Sequence, residues 1–481
     1  MINSNKRNNF LYLFAVLAFS FMYLPSYVNA QTVDDKPKKE IKYRKARSLS
    51  SKVAKKMAKV YEALEVVDEQ GELSPDMETV NEILSDLLNQ KDDIKSYDRS
   101  VMWNALAYVY STEEKYLEAI EAYENLLDEP ESTIPLRNEA LRALGRLHVG
   151  LENFQTGIKY ILQYMDVVET VTAQTWALLG RVYYTTGEFK KALSSLEKAV
   201  ILAEEEGYKP KENWYSVMAA SIGELKAEIG EKEAYLRQIA IYEILVNLYP
   251  KKTYFIQLGG IYGQLGREKD YMITLKAAYA KDLLNREGEY QVLAQLLLLN
   301  QNPYWAAQVL VSGQQKIITY NETKIDEITG EEIKVEKTGP VIKSNEKNLK
   351  LIADSWRMAQ EIDKAIPVLA KAAELSKDGK AYVLLGNLYL GEDKIEKAVD
   401  AIKKGLKKGK IEKISQVHLT LGQAYFELQK FEEAKKEFRI AARDKDKKTK
   451  SMANNWIKYT ENEEIRVKNL ALRRDFIQRQ S

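Results

Sequence analysis

One spaced set of residues recurs along this chain, and it constrains the fold more than any other feature. From Trp176 onward, a first helix carries Trp176, Leu179, Gly180 and Tyr183, a turn follows at Gly187, and a second helix carries Ala192, Leu196 and Ala199. The order is large, large, small, large, then small, large, small. Its cause is geometric: two antiparallel helix axes come within about 8–10 Å only where the facing side chains are small. Gly180 and Ala192 are the small residues at the predicted crossing, and Trp176, Leu179, Tyr183 and Leu196 fill the space around it. One such hairpin cannot cover its own apolar faces, so the pattern demands stacked neighbours.

The set returns around Trp103, Leu141, Trp214, Phe255, Tyr290, Leu349 (with Trp356 closing the stripe), Tyr382 and His418. Its small positions fall at 107, 145, 180, 218, 259, 294, 353, 386 and 422, among them Gly259, Gly386 and Gly422. Most steps lie near 34 residues, and the pattern resembles the tetratricopeptide repeat. The expected fold is all-α: a right-handed superhelix of about nine to ten helix-turn-helix hairpins over residues 49–447. A capping helix follows over 448–481, with Trp456, Ile457, Tyr459 and Leu470 facing inward. Two steps are long. Between 180 and 259 two repeats are stretched, and the unit opening at Trp214 is less regular. Between 294 and 353 an insertion near 316–347 is rich in Ile, Val and Thr, with a turn candidate at Thr329-Gly330. It reads as a protruding hairpin or a mobile loop, either a tolerated insertion or a partner-binding finger.

The N-terminus reads as an export signal. Lys6 and Arg7 precede the apolar run Phe10–Leu24, and Val28 and Ala30 stand at small-residue cleavage positions, so the processed chain is expected to begin at Gln31. An uncleaved anchor is the alternative, although the run is shorter than the ~20 residues of a spanning helix. Export places the chain in the periplasm, with no transmembrane span after cleavage. Without residues 1–30 the chain holds 70 Lys and Arg against 70 Asp and Glu, which gives a nucleic-acid role no electrostatic support. Residues 31–48 form a basic linker, a tether that could also touch an acidic surface. The chain has no cysteine, which excludes disulfides, thiol catalysis, Cys-ligated metals and a lipidated cysteine anchor.

Nothing in the pattern points to catalysis, a cofactor or a metal. The histidines, His148 and His418, both fall on repeat framework positions far apart in a quasi-linear array. The carboxylate clusters Glu204–Glu206 and Asp92-Asp93 sit on predicted exposed surface. The glycine-dense stretch Gly259–Gly266 lacks the preceding strand of a phosphate-binding loop.

What remains is an inner face, built from first-helix positions off the packing stripe. The register places Asn104, Tyr108, Arg142, Arg146, Arg181, Tyr184 and Tyr215 there in the N-terminal half. Gln291, Gln295, Lys350, Asp354, Arg357, Asn387, Gln423 and Phe426 follow in the C-terminal half. Arg and Tyr suit acidic or extended peptide segments. Gly266 reads as a turn, whereas Gly260 and Gly263 fall on the inner face and leave a strip of bare backbone that a partner chain could approach.

Four stretches carry a narrower likeness: PKENWYSVMAA (210–220), LYPKKTYFIQLGGIYGQLG (248–266), NQNPYWAAQVL (300–310) and NNWIKYTENE (454–463). They resemble secreted bacterial tetratricopeptide-repeat proteins encoded beside TonB, ExbB and ExbD and described as components of that energy-transduction system. The resemblance implies a non-enzymatic periplasmic adaptor whose protein partner is TonB, ExbD or a related component, and it supplies no catalytic residues. The 316–347 insertion departs from it. A general scaffold for outer-membrane or peptidoglycan assembly is the alternative function.

Overall fold

The computed structural model describes residues 47–68, 70–325 and 332–480. The export signal, nearly all of the basic linker and the turn assigned to Thr329-Gly330 lie outside the described residues. The chain divides into two compact units, Met1–Ala140 and Leu141–Ser481.

The first unit holds α1 (Ser51–Leu64), α2 (Met77–Asn89), α3 (Ser96–Thr112) and α4 (Tyr116–Asp128). α1 buries Val53, Met57, Val60 and Ala63, a stripe at helical spacing. α2 starts where the Asp76 carboxylate accepts from the Thr79 N–H at 3.1 Å, which satisfies one orphan donor of the first turn. Arg99 on α3 forks onto Glu129 just past α4, through Nε at 2.7 Å and Nη2 at 2.9 Å. Bidentate pairing fixes both residues more firmly than a single contact could.

The division between the units falls within α5 (Ile134–Gly150). The second unit continues with α6 (Phe154–Val167), α7 (Ala173–Thr185), α8 (Phe189–Glu205), α9 (Glu212–Glu224), the single turn α10 (Lys226–Ile229) and α11 (Glu231–Leu248). Next come α12 (Lys252–Gln264), α13 (Glu268–Ala280), α14 (Glu287–Leu299) and α15 (Pro303–Gln315). A hairpin of β1 (Ile317–Ile325) and β2 (Glu332–Pro340) follows. The unit ends with α16 (Glu346–Met358), α17 (Ile362–Leu375), α18 (Lys380–Gly391), α19 (Ile395–Lys408), α20 (Ile414–Glu427), α21 (Phe431–Ala441) and α22 (Lys447–Gln480). Within this unit each helical hairpin packs on the next, and successive hairpins bury one another's apolar faces.

The crossings need small residues. A Cβ at Gly180 would stand 2.7 Å from Leu196, one at Gly386 2.4 Å from Ile402, and one at Gly422 2.5 Å from the Phe438 ring. Eight of the hairpin turns share one geometry. In these, the second residue past the first helix turns left-handed: Glu114, Glu152, Gly187, Gly266, Gln301, Gln360, Asp393 and Gln429. The next N–H then reaches back to the last stripe residue, as in Glu188 to Tyr183 (2.8 Å), Arg267 to Tyr262 (2.8 Å) and Glu361 to Trp356 (2.9 Å). This is the Schellman closure, which satisfies carbonyls the helix end leaves open. Glycine fills this place only at 187 and 266, so the other turns carry no glycine signal in the sequence.

The unit opening at Trp214 differs from the sequence reading by one residue. The buried stripe of α9 is Tyr215, Met218, Ala219 and Ile222, at steps of three, one and three, with Trp214 buried beside it. Ala219, not Met218, is the small crossing residue: Gln238 on α11 donates to its carbonyl at 2.9 Å. A thioether is too bulky for that crossing, and the chain rotates to present the alanine.

The insertion is an antiparallel hairpin paired from Ile317 opposite Pro340 to Ile325 opposite Glu332. Its base is held firmly. Val341 donates to the Lys316 carbonyl and Ile342 to that of Gly313, both at 2.9 Å. Val341 and Ile342 sink into the core, and a Cβ at Gly313 would meet Ile342 at 2.6 Å. Asn348, fully buried, donates to the Lys343 carbonyl and to Glu287, and accepts from Gln291 at 2.7 Å.

α22 is packed only along its first half. Trp456 stacks on Phe438, with centroids 5.6 Å apart, and Ala453 and Thr460 are buried. Glu464 bonds Lys435 on α21 and Lys468 one turn on, and these two ammonium groups pull its carboxyl down to about 2. Of the four residues expected to face inward, Trp456 and Ile457 do so, but Tyr459 and Leu470 are exposed. The helix runs past the last packed residues, so no described neighbour covers Leu470.

Candidate peptide-binding face

The inner-face residues divide by what already occupies them. Arg142 and Arg146 stand one turn apart on α5 and point to solvent. Both line an open cleft of about 240 Å³ together with Ile161 and Tyr164 from α6 and Gln174, Thr175 and Leu178 from α7. Arg181 follows Leu178 by one turn on α7 and is exposed. No described residue forms an ion pair with Arg142, Arg146 or Arg181. Tyr164, Gln174, Thr175 and Leu178 are missing from the sequence reading. Gln174 lies seven residues before Arg181, so helical periodicity carried further back would have found it. Tyr164 belongs to a second helix, where the repeat register gives no such signal.

The C-terminal part of the face is largely engaged with itself. Gln291 is held in the Asn348 network, Lys350 pairs with Glu346 at 2.5 Å, and Arg357 pairs with Asp354 at 3.2 Å. Phe426 packs against Phe431, Trp456 and Tyr459. In the first unit, Tyr108 is 52% exposed. Asn104 is half-buried, and its buried Oδ1 accepts no hydrogen bond from a described residue.

Of the expected face residues Tyr215 is placed otherwise, while Gly263 is exposed and Tyr184 half-buried. Tyr215 is 2% exposed and belongs to the core, because the one-residue shift of α9 turns it inward; burial raises its phenol well above the ordinary value. Gly263 is exposed, and a Cβ added there would stand 3.3 Å from the Tyr271 ring, so it borders a helix contact as well as solvent. Tyr184 is half-buried, edge-on to Phe189 with centroids 5.6 Å apart. Gly260 alone of that pair faces open space.

The two histidines stay on the framework. His148 stacks on Tyr160, and His418 Nδ1 lies 2.6 Å from Glu437. Among the described residues no group of three or more His, Asp or Glu is placed to hold a metal ion.

Family models for the tetratricopeptide repeat match residues 173–205, 379–407 and 415–442, and a second such model matches 104–166. Among curated proteins the chain is similar to Protein CTR9 homolog of Arabidopsis thaliana, at 23% identity over 351 residues, 68% of this chain and 30% of that protein. It therefore spans less than a third of that relative's length. Among solved structures it is similar to the MamA protein (18% identity, 38% of this chain, 92% of that one, TM-score 0.31). It is also similar to a tetratricopeptide repeat protein from Parabacteroides merdae ATCC 43184 (14%, 60% and 98%, TM-score 0.24). A third is the TPR2AB domain of yeast Sti1, solved as a complex with pHSP90 (13%, 60% and 97%, TM-score 0.29). The fold is all-α and built of tetratricopeptide repeats, with one small two-stranded sheet. Such arrays act as scaffolds for protein–protein interaction.

Proposed function

We propose that this chain is a periplasmic adaptor without catalytic activity, which holds an acidic, extended segment of TonB, ExbD or a related envelope component against Arg142, Arg146 and Arg181. The observation that carries the reading is the contrast along the inner face. Lys350 and Arg357 already have carboxylate partners on their own helix, whereas these three arginines have none among the described residues. A guanidinium left unpaired beside an open cleft is free to take a carboxylate in bidentate geometry. The export signal and the four stretches resembling TonB-associated repeat proteins support the location and the partner.

The test is a titration of the purified periplasmic segments of TonB and ExbD against the chain and against Arg142→Ala/Arg146→Ala. The wild type binds one of them, and the variant binds it at least about tenfold more weakly, since each charged contact contributes ~1–3 kcal/mol. Unchanged helicity in circular dichroism assigns the loss to the face. Failure of both segments to bind overturns the partner, and equal binding by the variant overturns the site.

A further inference from the structure

Two strands leave two sheet edges open, and the β1–β2 hairpin treats its edges differently. The Val341 N–H on the Lys316 carbonyl sets the parity of the ladder. Residues 318, 320 and 322 of β1 bond inward to β2, so residues 317, 319, 321, 323 and 325 turn their N–H and C=O groups outward. Their partners in register, 340, 338, 336, 334 and 332, turn outward from β2. The outward residues also share the exposed face. Ile317 is 63% exposed, and Thr319, Asn321, Thr323, Lys334, Glu336 and Thr338 are exposed, whereas Ile318, Tyr320 and Val335 on the other face are half-buried. Among the described residues no backbone–backbone hydrogen bond joins β1 to anything but β2. The β2 edge is guarded: its outward positions include Glu332, Lys334, Glu336 and Pro340, charges and a missing donor that discourage strand addition. The β1 edge has no such guard. Its outward positions read Ile317, Thr319, Asn321, Thr323, Ile325, without charge and in the same order from either end.

We propose that the β1 edge pairs antiparallel with β1 of a second copy, about a two-fold axis at Asn321, so that two hairpins make one four-stranded sheet. The palindrome selects this occupant. A two-fold contact between identical chains needs a surface that complements itself. Here Ile317 comes opposite Ile325 of the second copy, Thr319 opposite Thr323, and Asn321 opposite Asn321. Thr–Thr pairs across strands add stabilisation, and the outward N–H and C=O groups of both strands find partners. Glu322 and Lys324 hold the alternate positions, opposite Tyr320 and Ile318 of the second copy, so neither meets a like charge directly across. The same operation on β2 would set Glu336 on Glu336 and leave Pro340 without a donor. An isolated two-stranded hairpin is marginal in water, whereas three or more strands support one another. The contact lies apart from the arginine cleft and does not rest on the adaptor reading.

The test is sedimentation of the full chain and its variants across a concentration series. Every variant retains Phe10–Leu24, so association through that segment is common to all. The wild type sediments as a dimer at micromolar concentration. Asn321→Pro removes only an outward N–H, a change an edge strand tolerates. Thr319→Glu/Thr323→Glu sets like charges opposite each other across the axis, while position 323 stays paired with Lys334 within the hairpin. Each variant weakens the dimer at least about tenfold. Thr319→Lys/Thr323→Glu restores it, because opposite charges then face each other at both places. Since the chain has no cysteine, Asn321→Cys supplies a single thiol beside its own copy, and mild oxidation links two chains through it. Glu336→Cys, on the guarded edge, gives no such link. A monomeric wild type overturns the proposal. So does a dimer that Asn321→Pro and Thr319→Glu/Thr323→Glu leave intact, or that Thr319→Lys/Thr323→Glu fails to restore. Linking through position 336 as readily as through 321 overturns it as well.

Discussion

Two hairpins of the second unit solve the same crossing in opposite ways. In α7/α8, both crossing residues are small: Gly180 faces Leu196, and Ala192 is fully buried on the second helix. In α12/α13 the place of Ala192 is taken by Tyr271, and the first helix supplies two glycines, Gly259 and Gly263, one turn apart. A Cβ at the first would stand 2.6 Å from the Tyr271 ring and at the second 3.3 Å. The ring lies in the groove the two glycines leave. A helix crossing therefore fixes the summed volume of its facing residues and leaves its division between the helices free, as expected of an interior packed like a crystal.

The strongest way to break this equivalence is Gly259→Leu. A leucine side chain overfills the crossing even if the half-buried Tyr271 ring shifts, and a loss of about 3 kcal/mol is expected in chemical denaturation. Adding Tyr271→Ala should restore more than half of it, and no restoration would mean the two residues do not share a volume. Tyr271→Ala alone comes next, at about 2 kcal/mol, since the half-buried ring leaves an unfilled groove. In a Gly259→Ala background its cost should shrink by about 1 kcal/mol, as a double-mutant cycle measures. The turns sharpen the comparison from another side. Gln360 holds the left-handed place that Gly187 and Gly266 fill elsewhere, with φ of 61°. Gln360→Gly should raise the melting temperature by the equivalent of about 1 kcal/mol, while Gly187→Ala should lower it by a similar amount. The smallest effect belongs to Gly260→Ala. Its Cβ would meet nothing within 4 Å, so only helix propensity changes, and stability should rise by about 0.5–1 kcal/mol. A fall instead would show that Gly260 is packed.

The framework was legible because volume at a crossing leaves a periodic trace in the sequence. Gly180, Gly386 and Gly422 could be placed from spacing alone. The trace weakens wherever one residue does another's work. At α9 both Trp214 and Tyr215 are large enough to open the stripe, and only the position of Ala219 about one turn on decides between them. Gly263 is exposed as the register expects, but its closeness to Tyr271 comes from the next helix, which a count of positions on one helix does not see. Six of the hairpin turns carry Glu, Gln or Asp in a left-handed conformation, so no residue type announces them. The candidate face was legible only where first-helix side chains build it. Tyr164 enters the cleft from a second helix, and the self-pairing of Lys350 and Arg357 depends on rotamers that a one-letter code does not hold.

The inserted hairpin enters and leaves the array at nearly the same point, since the Val341 N–H lies on the Lys316 carbonyl at 2.9 Å. The described strands run out from a junction whose core residues are Ile342 and Gly313, and Ile318 near its base still packs on that core. The helices on either side thus receive no report of how long the intervening chain is, and the entropy of a longer loop grows only slowly with its length. The junction behaves as a socket: a shorter turn, a longer hairpin or a foreign domain could be plugged in there with the register of α15 and α16 intact.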